Sequence, residues 1–190
     1  VFHVGSLSLT DDPSRTATYE ALNIARNSGA VISYDPNYRA ALWSDPETAQ
    51  LRMQSLIPYV DMMKISDEET SLLTPYQDPE EAIQYPLRQG VHLVAVTLGR
   101  DGALIGNENG IIKAEGFSSH AVDTTGAGDS FWGGFLASYL QEEISPEHLT
   151  RAQMIQFGRV GNAVASLCVE RRGGISAIPE MEEIEERLRG

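Results

Sequence analysis

The chemically most informative segment of the chain is Gly-Ala-Gly-Asp at residues 126–129, directly before an apolar stretch with helical spacing. Gly126, Ala127 and Gly128 carry almost no side chain. The start of a helix leaves N–H groups without partners and carries about half a positive charge. Small residues let an anion approach those N–H groups closely, and phosphate is the natural ligand. The segment therefore predicts an anion hole.

Asp129 follows the anion hole, and a carboxylate beside a phosphate is repulsive unless it acts in the reaction. A base that orients and deprotonates an attacking hydroxyl fits this position, so the segment predicts phosphoryl transfer from a nucleotide to an alcohol. In the alternative interpretation, Asp129 only complements the helix dipole, worth about 0.3–1 kcal/mol, and the glycines form a tight turn. Phe131 breaks the G-x-G-x-x-G pattern, and the chain has no Walker A lysine.

Charge and composition narrow the classes of partner. The net charge of −13 argues against binding nucleic acid or an anionic membrane. Lys64 and Lys113 are the only lysines. Arginine, backbone N–H groups and a divalent metal would therefore have to balance a nucleotide's charge.

The remaining totals indicate a folded protein without disulfides. A length of 190 residues suits a single domain over 1–190. Neither a membrane span nor a secretory signal is visible. Cys168 is the one cysteine and is expected to be a buried hydrophobe, which suits a reducing, cytoplasmic location. Val1 is not a start methionine and falls inside an expected strand, so we expect the chain to be a fragment of a longer protein.

Strands and helices are expected to alternate along the chain. Strands are predicted at 1–9, 30–35, 59–66 and 91–99, with a hairpin on the Asn109–Gly110 turn. Helices are predicted at about 12–27, 45–57, 78–90, 128–142, 146–171 and 180–189, with a short one opened by a Ser66/Glu69 capping box. This order predicts an α/β fold with a mainly parallel sheet and helices on both faces. Its polar segments follow strands, which predicts a single site beyond the carboxyl ends.

Four segments together resemble a known family. The segment DTTGAGDSFWGGF resembles the C-terminal signature of the ribokinase-like (PfkB) carbohydrate kinases. YDPNYRAALW, MMKISDEE and VTLGRDGAL occur in that family's order and are most similar to the fructokinases. The resemblance implies a three-layer αβα fold, ATP and Mg²⁺ as cofactors, and a sugar as substrate.

The resemblance also implies roles for individual residues. Asp129 is the implied base and residues 126–128 the implied anion hole; Glu69 organises magnesium through water, although Ser66 replaces the family's asparagine. A monovalent cation such as K⁺ would contact Asp123, Thr125 and Ser176. The nucleotide would contact Thr97, Gly99, Gly102 and Asn162. The phosphates or the phosphorylated sugar position would contact Asn37 and Arg39. Structural alternatives stay open: a capping box explains Glu69, turn chemistry explains Asn37 and Asp123, and a surface ion pair explains Arg39.

Members of this family begin with a segment that the chain lacks, which supplies sugar contacts, a lid and a dimer contact. We therefore expect the isolated chain to be inactive and the full-length protein to be a homodimer formed through the lid. The leading hypothesis is conversion of fructose to fructose 6-phosphate. The alternatives are a kinase for 2-keto-3-deoxygluconate or ribose, and a non-catalytic kinase-like binding module.

Overall fold

The structure, a computed structural model, describes residues 1–190 as a mixed, mostly parallel sheet of six strands with seven α-helices, a three-layer α/β architecture. The strands lie in the order β1-β2-β3-β4-β5-β6. Their bounds are β1 Phe2–Gly5, β2 Ile32–Asp35, β3 Met62–Ser66, β4 Leu93–Thr97, β5 Ala103–Asn107 and β6 Gly110–Ala114. The helices are α1 Ser14–Asn27, α2 Pro46–Gln54, α3 Thr70–Leu73, α4 Pro79–Leu87, α5 Ala127–Tyr139, α6 Arg151–Cys168 and α7 Met181–Arg189.

Two compact units make up the chain. Unit 1 comprises Val1–Val96 and Gly106–Glu108, and unit 2 comprises Thr97–Ile105 and Asn109–Gly190. The expectation of one domain over 1–190 stays a prediction. None of the helices combines the length and the apolar character needed to cross a membrane.

In unit 1 the first three strands pair in parallel. Phe2 lies opposite Ile32 and Gly5 opposite Asp35, while Ser33 lies opposite Met62. All four residues of β2 are buried, which is typical of a parallel strand covered on both faces. The first strand is shorter than the predicted 1–9, because Ser6 donates its N–H to the Pro36 carbonyl at 3.2 Å and the chain then forms a 3-10 turn, Leu7–Leu9.

Local capping explains where two helices of unit 1 begin. The Asp45 carboxylate accepts the Thr48 N–H at 2.7 Å, and the Asp78 carboxylate accepts the N–H groups of Glu80 and Glu81, each at 3.0 Å. In both cases a proline follows the acid at the first helical position, where its missing N–H costs nothing. These two predicted helix starts are confirmed.

The long helix predicted over 146–171 is wrong at its start. The structure has a 3-10 turn, Pro146–His148, and α6 begins only at Arg151. Thr150 has extended backbone angles, and its hydroxyl accepts the Gln153 N–H at 3.3 Å while its own N–H donates to the Gln153 side chain at 3.0 Å. This capping box divides the segment because it satisfies the first-turn donors of a new helix.

Helices α5 and α6 pack with their backbones close together. Gly134 and Gly161 face each other: a Cβ on Gly134 would lie 3.1 Å from the Gly161 Cα, and one on Gly161 would lie 2.6 Å from the Phe131 carbonyl oxygen. Around this contact Trp132 and Phe135 are buried and stacked, with ring centroids 5.1 Å apart. Trp132, Phe135 and Tyr139 are all buried, so the apolar stretch with helical spacing forms part of the core.

The C-terminal helix α7 is held by an apolar cluster with α6 and by two ion pairs, Arg187–Glu170 and Arg171–Glu183, to the residues that follow α6. Ile184 is buried in a cluster with Ala163, Val164 and Leu167. The Arg187 guanidinium donates to both carboxylate oxygens of Glu170, at 3.1 and 3.0 Å. Glu182, Glu185 and Glu186 of α7 are exposed to solvent.

Two neighbouring glycines of α5 test this packing. Gly133 is exposed, and a methyl group added there would meet nothing within 4 Å, whereas a methyl on Gly134 meets Val164 at 2.9 Å as well as Gly161. We expect Gly133→Ala to stabilise the protein by about 1 kcal/mol through helix propensity. Gly134→Ala should instead destabilise it by about 1–3 kcal/mol through overpacking. Thermal unfolding of the matched pair provides the measurement, and equal Tm values would contradict the close helix contact.

Candidate active site at the start of helix α5

The first turn of α5 offers unpaired backbone donors. Gly126 precedes the helix with φ +79° and ψ 4°, the left-handed conformation. The Ala127 N–H donates to the Thr124 carbonyl at 3.2 Å, whereas the N–H groups of Gly126, Gly128 and Asp129 donate no hydrogen bond within the chain. These amides and the helix dipole make the turn attractive to an anion.

Gly126 is required by space as well as by backbone angle. A Cβ at this position would lie 3.1 Å from the Cα of Gly174 and 4.0 Å from the Sγ of Cys168. Cys168 is completely buried, as predicted, and its thiol lies 3.8 Å from the Thr125 carbonyl oxygen. The loop at 173–174 and the end of α6 therefore fix where the first turn of α5 begins.

The Asp123 carboxylate joins the same two loops. Its Oδ1 accepts the Thr125 N–H and its Oδ2 accepts the Gly173 N–H, both at 2.9 Å. These two amides, with Gly173 the stronger, lower the pKa of the Asp123 carboxyl to about 2. Ser176 lies beyond Gly173 and donates its hydroxyl to the Arg172 carbonyl at 3.3 Å. Three predicted cation contacts, Asp123, Thr125 and Ser176, thus belong to one pair of loops.

Asp129 lies one residue after the anion hole and stays available. The residue is exposed, and its carboxylate makes no hydrogen bond or ion pair. The geometry leaves Asp129 free to accept a proton from a bound ligand.

The nucleotide residues predicted from the family lie around a second backbone crossing in unit 2. Thr97 ends β4, and Gly99 and Gly102 bracket the turn to β5 with φ +57° and +89°. A Cβ on Gly102 would lie 2.5 Å from the Gly116 nitrogen, so the turn and the chain after β6 touch through their main chains. Asn162 on α6 is buried beside this crossing.

The Asn162 side chain holds the chain after β6 in place. Its Nδ2 donates to the carbonyl oxygens of Ala114 and Glu115, at 2.9 and 3.1 Å. Both bonds come from one amide group, so they fix the path of the main chain as it leaves the strand. Asn162 therefore shapes the region assigned to the nucleotide, in addition to the lining role that the family implies.

The remaining predicted residues belong to unit 1. Asn37 adopts a left-handed conformation, φ +48°, in the turn after β2, and Arg39 is exposed at the end of that turn. Glu69 is buried, and the capping box predicted with Ser66 is present. Asn37, Arg39 and Glu69 thus lie in unit 1, and the other predicted residues lie in unit 2 as two groups, one at the start of α5 and one around the turn after β4.

The side chains alone offer few ligands for a metal ion. No group of three or more His, Cys, Asp or Glu side chains is placed to hold a metal ion. Glu69 accepts three hydrogen bonds, from the amides of Tyr38 and Ser66 and the Ser66 hydroxyl. Asp123 accepts two amides and keeps unused lone pairs. A divalent ion would therefore depend mainly on ligands that a phosphate substrate brings.

The sequence did not indicate three contacts near the predicted site residues: the Gly126–Gly174 contact, the Gly102–Gly116 crossing and the bond from Tyr38 to Glu69. Each joins residues far apart in sequence. The paired glycines at 173–174 and the isolated Gly116 were visible in the sequence, but without a fold they carry no signal of what they approach.

Acid titration tests the role of Asp123. Because the folded state lowers its pKa from 3.8 to about 2, its stabilisation is complete above the unfolded value and is lost as the pH falls through the folded one. We expect the Tm difference between wild type and Asp123→Asn to be largest at neutral pH and to shrink across this window. Glu142→Gln, at an exposed position, is the control. A Tm difference independent of pH would contradict the two amide bonds.

The chain matches a family model and curated relatives. The model described as pfkB family carbohydrate kinase matches residues 1–181. Probable fructokinase-4 of Arabidopsis thaliana is 35% identical over 191 residues, covering 100% of this chain and 58% of that protein. Fructokinase-1 of Zea mays is 34% identical over 185 residues, covering 97% of this chain and 57% of the relative. The chain thus spans a little more than half the length of these curated relatives.

A solved structure is similar over nearly the whole chain. The fructokinase from Vibrio cholerae O395, crystallised with fructose, ADP and calcium, superposes with a TM-score of 0.90 at 32% identity, covering 98% of this chain and 59% of that one. Together, the matched family model and these similarities show that the chain belongs to the pfkB family of carbohydrate kinases.

Proposed function

We propose that the full-length protein phosphorylates a sugar hydroxyl with ATP, as a fructokinase that converts fructose to fructose 6-phosphate. The observation that carries this proposal is the unpaired carboxylate of Asp129 next to free amides at the start of α5. The amides are available to an anion, and the exposed carboxylate beside them is available to the hydroxyl of a ligand.

The reaction follows from these two groups. The sugar hydroxyl oxygen attacks the terminal phosphorus in line, the bond from that phosphorus to the ADP oxygen breaks, and Asp129 accepts the hydroxyl proton. The N–H groups of Gly126, Gly128 and Asp129 donate to the equatorial oxygens, where charge is concentrated during transfer. The products are the sugar phosphate and ADP, and Asp129 then releases its proton to solvent.

The nucleotide half of the proposal rests on unit 2. Thr97, Gly99 and Gly102 form the turn beside the nucleotide, and Asn162 holds the main chain that lines it. Fructose and ADP are bound in the similar Vibrio cholerae structure, and we extend both ligand classes to this protein. In unit 1, Asn37 and Arg39 are proposed to contact a phosphate group, since an exposed guanidinium suits phosphate geometry.

Metal ions complete the proposed chemistry. Mg²⁺ bound to the nucleotide would neutralise charge on the transferring phosphate, with Glu69 contacting its hydration shell. A monovalent cation such as K⁺ would be held by Asp123, the Thr125 carbonyl and Ser176, whose loops meet beside Gly126. We further propose that the full-length protein is a homodimer, which its mass in solution tests.

Replacement of the proposed base is the central test. In the full-length protein, Asp129→Asn should lower kcat by about 10²- to 10⁴-fold, because the proton acceptor is lost. The Kd for ADP should change by less than about threefold, because the Asp129 carboxylate acts on the attacking sugar hydroxyl. Steady-state kinetics with fructose and calorimetry with ADP provide the two measurements.

Glu142→Gln, an exposed acid just after α5, is the matched control and should behave as wild type. A kcat close to wild type in Asp129→Asn would remove the base assignment. A panel of fructose, ribose and 2-keto-3-deoxygluconate identifies the sugar. Absence of ATP consumption with every sugar would favour the non-catalytic binding module.

A further inference from the structure

The turn that follows β2 is fixed at successive peptide groups by side chains from three different segments. The Pro36 carbonyl accepts both the N–H and the hydroxyl of Ser6, from the end of β1. The Asn37 N–H donates to the Asp35 carboxylate at 3.0 Å. The Tyr38 N–H donates to Glu69 at 2.7 Å. The peptide groups Pro36–Asn37 and Asn37–Tyr38 are therefore both fixed in orientation by hydrogen bonds.

Asp35 is itself held rigidly. Its Oδ2 accepts the Lys64 ammonium at 3.1 Å, and the side chains of this ion pair are only 4% and 6% exposed. The bond from Asp35 to the Asn37 amide supports a left-handed backbone at Asn37, an uncommon conformation for a residue with a side chain. Such conformations persist where neighbouring groups over-determine them, and they are frequent at functional sites.

Glu69 supplies the longest connection in this arrangement. Its Oε1 accepts only the Tyr38 amide, while its Oε2 accepts the Ser66 amide at 2.9 Å and the Ser66 hydroxyl at 3.0 Å. The residue is 9% exposed and has no cationic partner. Burying a carboxylate against neutral donors alone is costly, so a short bond to a distant turn calls for an explanation beyond helix capping.

The turn ends at Arg39, whose side chain bonds only to the turn itself. Arg39 is exposed, makes no ion pair, and its Nη1 donates to the carbonyl of Tyr38 at 2.9 Å. The guanidinium is therefore folded back onto the same residue whose amide Glu69 holds. A rotation of the backbone at Tyr38 would therefore move both the Cα atom and the guanidinium group of Arg39.

We propose that Glu69 is a positioning residue for Arg39, acting through the Tyr38 amide, in addition to any contact with a metal's hydration shell. This inference rests on the proposed kinase function, in which Arg39 meets a phosphate group of the substrate. A bidentate guanidinium requires accurate placement, and a displacement of about 1 Å can cost about 100-fold in rate.

Glu69→Gln in the full-length protein tests the proposal. The neutral amide presents a single oxygen in place of the carboxylate's two, so it cannot satisfy both the Tyr38 and the Ser66 amides. We expect kcat/KM to fall by about 10- to 100-fold. The fall is measured at saturating Mg²⁺, so that a weaker contact between residue 69 and the metal's hydration shell does not contribute to it. Glu68→Gln, its exposed neighbour, is the matched control and should keep wild-type kinetics.

A double-mutant cycle identifies the residue through which Glu69 acts. The Glu69→Gln loss is measured with Arg39 present and again with Arg39→Ala, under single-turnover conditions suited to a slow enzyme. If Glu69 acts through Arg39, the second loss should be below about threefold, within the additivity expected of an uncoupled change. Equal losses in both backgrounds would overturn the proposal.

Folding is checked by thermal unfolding, and Glu69→Asp provides a second variant that keeps the charge but shortens the side chain. Loss of folding in both variants would show a purely structural carboxylate and would also overturn the proposal. Failure of the kinase function is recognised separately, because the wild-type protein would then phosphorylate no sugar in the same assay.

Discussion

The contact between Gly126 and Gly174 is the constraint on which the candidate site depends. Two residues without Cβ atoms let the chain turn left-handed and begin α5 against the loop that follows α6. The Asp123 carboxylate holds both loops by their amides, so the first turn of the helix is placed by main-chain groups. A ligand that approaches this turn therefore meets donors whose positions are already determined, which reduces the cost of organising them on binding.

Under the proposed function, the distribution of cations determines which groups can balance the charge of a phosphate substrate. Lys64 is buried in an ion pair with Asp35, and Lys113 pairs with Glu115 at 2.9 Å. Both lysines are thus engaged within the protein. Backbone amides, an exposed Arg39 and an ion carried by the nucleotide are left to balance the phosphates, in keeping with the electrostatic character of phosphoryl transfer.

Much of the fold could be predicted because its signals are local. The acid–proline pairs that begin α2 and α4, the Ser66/Glu69 capping box and the apolar stripe of α5 each lie within a few residues of sequence. The same local chemistry could have revealed the start of α6, since Thr150 and Gln153 have capping-box spacing, but the apolar periodicity favoured one longer helix. Overlapping signals of this kind make helix boundaries less predictable than the existence of a helix.

The parts of the site that could not be predicted depend on long-range contacts. The family resemblance indicated Asp129 and the glycines before it, whereas nothing in the sequence pairs Gly126 with Gly174 or Tyr38 with Glu69. The bond between the last two crosses 31 residues and exists only because β2 and β3 are neighbours in the sheet. Where two backbones approach closely, the sequence shows only a glycine, and glycines also occur for many other structural reasons.

The crossing of Gly102 and Gly116 has a consequence for variation in this protein. Here main chain rests directly on main chain, with no side chain between the two segments. The separation is then set by peptide geometry, so neither glycine can gain a side chain, and Asn162, which bonds the same main chain, is also constrained. Libraries that diversify this region should keep residues 102 and 116 constant and can vary the solvent-facing residues of the hairpin.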